Sequence, residues 1–162
     1  MEELIQQLAA TPKALAHLVA EATDESMDRA DAGAWSARMI LAHFRDDEYL
    51  CLRAGLTRML AEDNPAVHFI DGADWEPGRN RTRDRKEWLL ADFALQRQAS
   101  LGILRMLRPE DVLRTGTRAG REFSVQQLLE VWVRHDREHL AQLEQAVGET
   151  VEEARARRAR WE

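Results

Sequence analysis

Apolar residues along this chain recur at helical spacing. Leu4, Ile5 and Leu8 make a short stripe, and Leu15, Leu18 and Val19 continue it beyond Thr11-Pro12. Steps of three and four place side chains on one face of a helix. Thr11 reads as a cap with Pro12 at the first helical position, which predicts two helical pieces rather than one. Residues 23–34 read as a loop. Ser36 then caps a second helix, with Trp35 before it and Ile40 after it at the spacing of a hydrophobic staple. Met39, Ile40, His43, Leu50, Ala54 and Met59 trace its inner face to about Ala61, and Asn64-Pro65 ends it.

The stretch 63–83 carries Pro65, Gly72, Pro77 and Gly78 and reads as a long loop. It contains Trp75, whose indole is costly to leave in water, and loops of this length are often functional. A third helix is predicted from Asp84, with Glu87 as its capping partner and Trp88, Leu89, Phe93, Leu101, Leu104 and Leu107 on its buried side. Pro109 stops it, and Gly116 and Gly120 mark a turn. The fourth helix has the best start signal in the chain: a capping box of Ser124 and Gln127, and a staple of Phe123 and Leu128. Its stripe runs through Leu128, Val131, Trp132, His135, His139 and Leu143 to a C-terminal cap at Gly148. Thr150 and Glu153 propose a short last helix. Strand signals are nearly absent. The expected fold is all-α: an up-and-down-type four-helix bundle with long helices, in one domain over residues 1–162. Residues 150–162 form its basic C-terminal helix or tail.

Composition narrows the function classes. A chain of 162 residues can bury a real core, and 44% apolar with 32% charged residues is globular composition. The formal net charge of -6 gives no global attraction to nucleic acid or anionic lipid. The arginines at 155, 157, 158 and 160 are a short cluster beside Glu152 and Glu153, which reads as a solvated helix or a dimer contact before a nucleic-acid arm. No apolar run reaches the ~20 residues a membrane helix needs. A single cysteine, Cys51, suits a reducing compartment and reads as a buried small hydrophobe. The start Met1-Glu2-Glu3 shows no signal peptide, so a cytoplasmic location is expected.

The chemistry rests on histidines. His135 and His139 are four apart, so both leave one helix face, on the stripe that Leu128 and Trp132 mark as buried. Buried imidazoles need partners for their ring nitrogens, and a metal supplies one to each. His43 is a third imidazole on the inner stripe of another long helix. Three histidine ligands would leave coordination positions open, as in catalytic rather than structural sites. The plain alternative is three hydrogen-bonded core histidines. Asp46 and Asp47 follow His43 by three and four residues, as a weak ligand or a base, against a solvated acidic patch, which is favoured slightly for Asp47. Asp136 either orients an imidazole from behind or is exposed. His17 and His68 read as ordinary surface or loop residues. A ferritin-like di-iron site needs Glu-x-x-His motifs; the residues three before His43, His135 and His139 are Ile40, Trp132 and Asp136, so that ligand set is absent.

Trp35-Ser36 with Leu41-Ala42-His43, Asp46 and Glu48 resembles the signature of the DinB-like, or YfiT-like, metal-binding four-helix-bundle superfamily. The segment from His135 to Gln142 resembles the closing His-Asp-x-x-His-Leu segment of that superfamily. The resemblance implies one divalent ion (nickel, zinc or iron) held by His43, His135 and His139, and a homodimer. It also implies two open functions. One is a metal-dependent transferase or isomerase that uses a low-molecular-weight thiol or another small molecule, with Arg79, Arg81, Arg83 and Arg85 available to hold an anion. The other is a non-enzymatic, stress-related metal-binding scaffold. No catalytic residue is assigned by either.

Overall fold

Caps read from the sequence set several helix starts. In the computed structural model, which describes residues 1–30, 33–69 and 84–148, Ser36 Oγ accepts from the Met39 amide at 3.2 Å and opens α3 (Ala37–Asp47). Both halves of the Ser124–Gln127 capping box form at the start of the helix that begins at Val125. Among the described residues the order is α1 (Glu2–Leu18), α2 (Asp24–Asp28), α3, a π-helical turn (Glu48–Arg53), α4 (Ala54–Ala61), α5 (Lys86–Arg105), a 3-10 turn (Asp111–Leu113), a hairpin of β1 (Thr115–Arg118) and β2 (Arg121–Ser124), and α6 (Val125–Val147). The loop around Trp75, the arginines at 79, 81 and 83, and the tail 150–162 lie outside the described residues.

Two apolar clusters lie at opposite ends of the bundle. One gathers Ile5, Leu8, Leu52, Leu56, Leu101, Leu104, Leu128 and Trp132. The other gathers Leu15, Val19, Ala37, Ile40, Phe44, Leu89, Phe93 and Leu143. Their membership fixes the helix directions. α1 and α6 run from the first cluster to the second, while α3 with α4, and α5, run back. α1 packs on α5 and α6, and α3 packs on the same two helices, so α1 lies diagonal to α3.

Several expectations change. Thr11-Pro12 does not start a helix; α1 runs through it without a break. Pro12 has no N–H to give the Leu8 carbonyl, and Arg97 Nη1 donates to that carbonyl instead at 2.8 Å. The region read as a loop contains α2, capped by Thr23 Oγ1 on the Ser26 amide. Its Asp24 and Asp28 hold Arg38 at 2.9 and 2.6 Å. The second long helix is interrupted by the π turn. A π turn uses more residues per turn, so the buried face moves onto Cys51, Leu52, Gly55, Leu56 and Met59 and leaves Ala54 exposed. Asp84 does not cap α5; its carboxylate takes Arg45 Nη1 at 3.2 Å. Trp88 is 57% exposed, under the Arg85 guanidinium. The glycine turn belongs to a hairpin, with Ala119 and Gly120 at φ 49° and 76°, the left-handed pair that a two-residue connection needs. Gly148 does occupy the C-cap of α6, at φ -59° rather than left-handed.

Between the two clusters lies a buried polar layer. Arg97, 1% exposed, bonds Asp136 through Nη1 at 2.6 Å and Glu48 through Nη2 at 2.9 Å. Thr11 Oγ1 donates to Asp136 at 2.6 Å, and Trp132 Nε1 donates to Glu48 at 3.1 Å. Removing one partner from such a network leaves uncompensated buried charge. Arg97→Met should therefore cost about 3–5 kcal/mol, measured by urea denaturation. A cost below about 1 kcal/mol, the range of exposed pairs, would show that the layer does not hold the fold together.

Candidate metal centre

His43 lies on the inner face of α3, four residues before Asp47, and His135 and His139 lie one turn apart on α6. α3 packs on α6, and the three imidazoles converge. His43 Nε2 is 3.0 Å from His135 Nε2 and 3.1 Å from His139 Nε2. These three form a group of metal-ligating side chains with one ligand atom each within 4.8 Å of the others. His17 and His68 are exposed, as expected.

Neighbours fix the ring orientations. His139 Nδ1 is 2.8 Å from Gln142 Oε1, an atom that can only accept, so Nδ1 carries the hydrogen and the Nε2 lone pair faces the cluster. His135 Nδ1 is buried without a hydrogen-bond partner and lies 3.6 Å from Asp136 Oδ1, longer than a hydrogen bond but well within reach of its charge. Trp35 lies parallel to His139 at 6.0 Å and edge-on to His43 at 5.0 Å, walling one side. Asp47 Oδ2 lies on the site, 3.3 Å from His135 Nε2 and 3.8 Å from His43 Nε2.

The acidic candidates therefore separate. Asp47 is not part of a solvated patch but faces the histidines, with 14% of its side chain exposed. Asp46 pairs with Arg45 Nε at 2.8 Å. Asp136 is buried rather than exposed and stands behind His135, held by Arg97 and Thr11. Sequence reasoning missed Arg97, Glu48 and Gln142 as parts of the site. Arg97 carried a signal: it falls between Phe93 and Leu101 on the apolar stripe of α5, where a charge needs a buried partner. Cys51 is fully buried, as expected, and its thiol contributes to holding Asp47 ionised.

The donor set fits a divalent cation. A tetrahedral ion with nitrogen ligands at 2.0–2.1 Å separates them by about 3.3 Å, close to the distances found. Asp47 lies against two of the imidazoles and Asp136 stands behind His135, so carboxylates flank the donor set on both sides.

This is a helical bundle with a three-histidine cluster between two of its long helices. The sequence model of the DinB superfamily matches residues 7–143, and the chain belongs to that superfamily. A search of curated proteins found no match. Among solved structures the chain is similar to YfiT from Bacillus subtilis, described as a probable metal-dependent hydrolase with an unusual four-helix bundle topology. The TM-score is 0.83 at 21% identity, covering 90% of this chain and 84% of that one. At that identity the likeness establishes the fold. No helix among the described residues is long and apolar enough to cross a membrane.

Without an ion, burial disfavours the His135 imidazolium, but the adjacent carboxylates of Asp136 and Asp47 outweigh it and raise the pKa from 6.5 to about 9. Burial, and then the charge on His135, lowers that of His139. A raised folded pKa gives stability that is complete below the ordinary value of 6.5 and is lost as the pH climbs through about 9. The melting temperature of chelator-treated protein should fall across that window. A flat profile would show that Asp47 and Asp136 do not hold a proton on His135.

Proposed function

We propose that His43, His135 and His139 hold one divalent ion and that the chain is a metal-dependent enzyme acting through a small nucleophile. The approach of three Nε2 atoms, with His43 at 3.0 and 3.1 Å from the other two, carries this reading. Bound there, the ion would supply a Lewis acid that acidifies a thiol or water nucleophile. Asp47, beside the cluster, is placed to take the released proton or to serve as a weak further ligand. Gln142 and Asp136 orient His139 and His135 from behind, as partners of metal-binding imidazoles do. Trp35 excludes water from one flank. A low-molecular-weight thiol and a transfer or isomerisation are the finer reading, supported by the superfamily resemblance. Hydrolysis is the second reading, favoured by the description of the YfiT structure. Nickel, zinc and iron all suit imidazole donors.

The chain should also form a homodimer. Trp88 and Leu95, 57% and 66% exposed, lie seven residues apart on one face of α5 and offer apolar surface to a second copy. Light scattering that finds a monomer at micromolar concentration would remove this assignment.

Protein purified without a histidine tag should carry about one divalent ion per chain, measured by elemental analysis. Saturation at 100 times the dissociation constant should stabilise it by roughly 2.7 kcal/mol. His139→Ala should lose the ion and keep its helical circular dichroism, because the apolar clusters at both ends do not include His139. Affinity should strengthen as the pH rises toward about 9, since binding must displace the His135 proton. Asp47→Asn should keep most of the ion and lower turnover by roughly 10²–10⁴, with thiol and water compared as nucleophiles. A tag-free protein without metal, whose melting temperature ignores added nickel, zinc and iron, would make the histidines core residues.

A further inference from the structure

A groove of about 430 Å³ runs beside the histidine cluster, between the segment that follows α2 and the last turn of α6. Arg29, Trp35, Gln142, Gln145 and Gly148 are among its lining residues. Two of them reach the cluster: Trp35 lies parallel to the His139 ring, and Gln142 Oε1 bonds His139 Nδ1. The groove and the cluster thus share a wall. Its volume falls within the range of small-molecule sites.

Its chemistry is selective. Among the described residues that line it, Arg29 alone carries a charge. Asp28, its chain neighbour, and Asp24 are both taken by Arg38, and the Arg29 guanidinium forms no ion pair or hydrogen bond among the described residues. A guanidinium offers paired N–H donors in the geometry of a carboxylate. With its oxygen bonded to His139, Gln142 keeps its NH2 as a donor, and Gln145 adds a second carboxamide. Opposing these, the C-terminal turn of α6 ends at Gly148, and the carbonyl end of a helix disfavours negative charge. One anionic group fits at Arg29, while a polyanion such as a phosphate ester would meet that helix end. The Trp35 indole offers an apolar surface to the remainder of the ligand.

We infer that this groove binds a small carboxylate-bearing molecule, with its carboxylate on Arg29 and its body along Trp35 and Gln142, and presents it to the histidine cluster. Its role as a substrate subsite rests on the metal-centre reading, whereas its affinity for a carboxylate does not.

The test is a nitrogen-15 NMR titration of the full chain, before and after chelation, with N-acetylglycine, N-acetylglycinamide and inorganic phosphate as probes. The Trp35 indole and Gln142 carboxamide signals should shift saturably with N-acetylglycine, and about tenfold more weakly with the amide or with phosphate, a 1.4 kcal/mol difference. Arg29→Gln, at an exposed residue outside both apolar clusters, should abolish the preference and leave metal content unchanged. Equal affinity for acid and amide, an unchanged response in Arg29→Gln, or no saturable shift at Trp35 would each overturn the assignment. Carboxylate binding in a protein that takes up no metal would overturn only the metal-centre reading. Metal uptake without carboxylate binding would overturn only the groove.

Discussion

A single guanidinium in the middle of the bundle ties the four long helical segments together. Arg97 projects from α5 to the Leu8 carbonyl of α1, to Glu48 at the start of the π turn and to Asp136 of α6. Each contact satisfies something that would otherwise be costly to bury: a helical carbonyl without its N–H and two carboxylates. Burial alone disfavours the charge on Arg97, and Asp136 and Glu48 outweigh it, so the cation persists. The layer also sets the histidine site. Asp136 faces Arg97 on one side and His135 on the other, so the position of one imidazole depends on a residue of α5 that never touches it.

The π turn performs a related task. It begins at Glu48, directly after Asp47, and its extra residues per turn rotate α4 relative to α3. His43 and Asp47 face the cluster from the α-helical turn before it, Glu48 faces Arg97, and the rotated turns that follow return to the apolar core through Leu52 and Leu56. An uninterrupted α-helix through these residues would carry its buried stripe onto Ala54, which is instead exposed.

These two devices mark where sequence reasoning stops. The caps at Ser36 and Ser124 were legible because capping is local: a hydroxyl and an amide three residues on suffice. The three histidines were legible because each lies on an apolar stripe, and the pairing of His135 with His139 follows from helix geometry. Thr11-Pro12 misled because its role is not local. Thr11 serves Asp136 across 125 residues, and the carbonyl that Pro12 leaves open is filled from Arg97. Asp46 and Asp47 could not be separated without knowing how α3 is rotated against α6. Trp88 read as core because it shares the α5 periodicity, yet it points to solvent; periodicity locates a face only to within a neighbouring position.

The order of helices around the bundle bears on how it assembles. α1 rests on α5 and α6 rather than on α3, and α3 rests on the same two. α3 and α5 are neighbours both in space and in order along the chain, yet they run in the same direction, from one apolar cluster to the other. A bundle of consecutive antiparallel helices can form hairpins early, because its contacts are close in sequence. Here the long helices must find their partners across long stretches of chain, and the loop-closure entropy of those stretches is lost before packing rewards it. The fold should therefore form more slowly than helical bundles of low contact order. The three imidazoles, drawn from α3 and α6 across 92 and 96 residues, come together only when that search has ended.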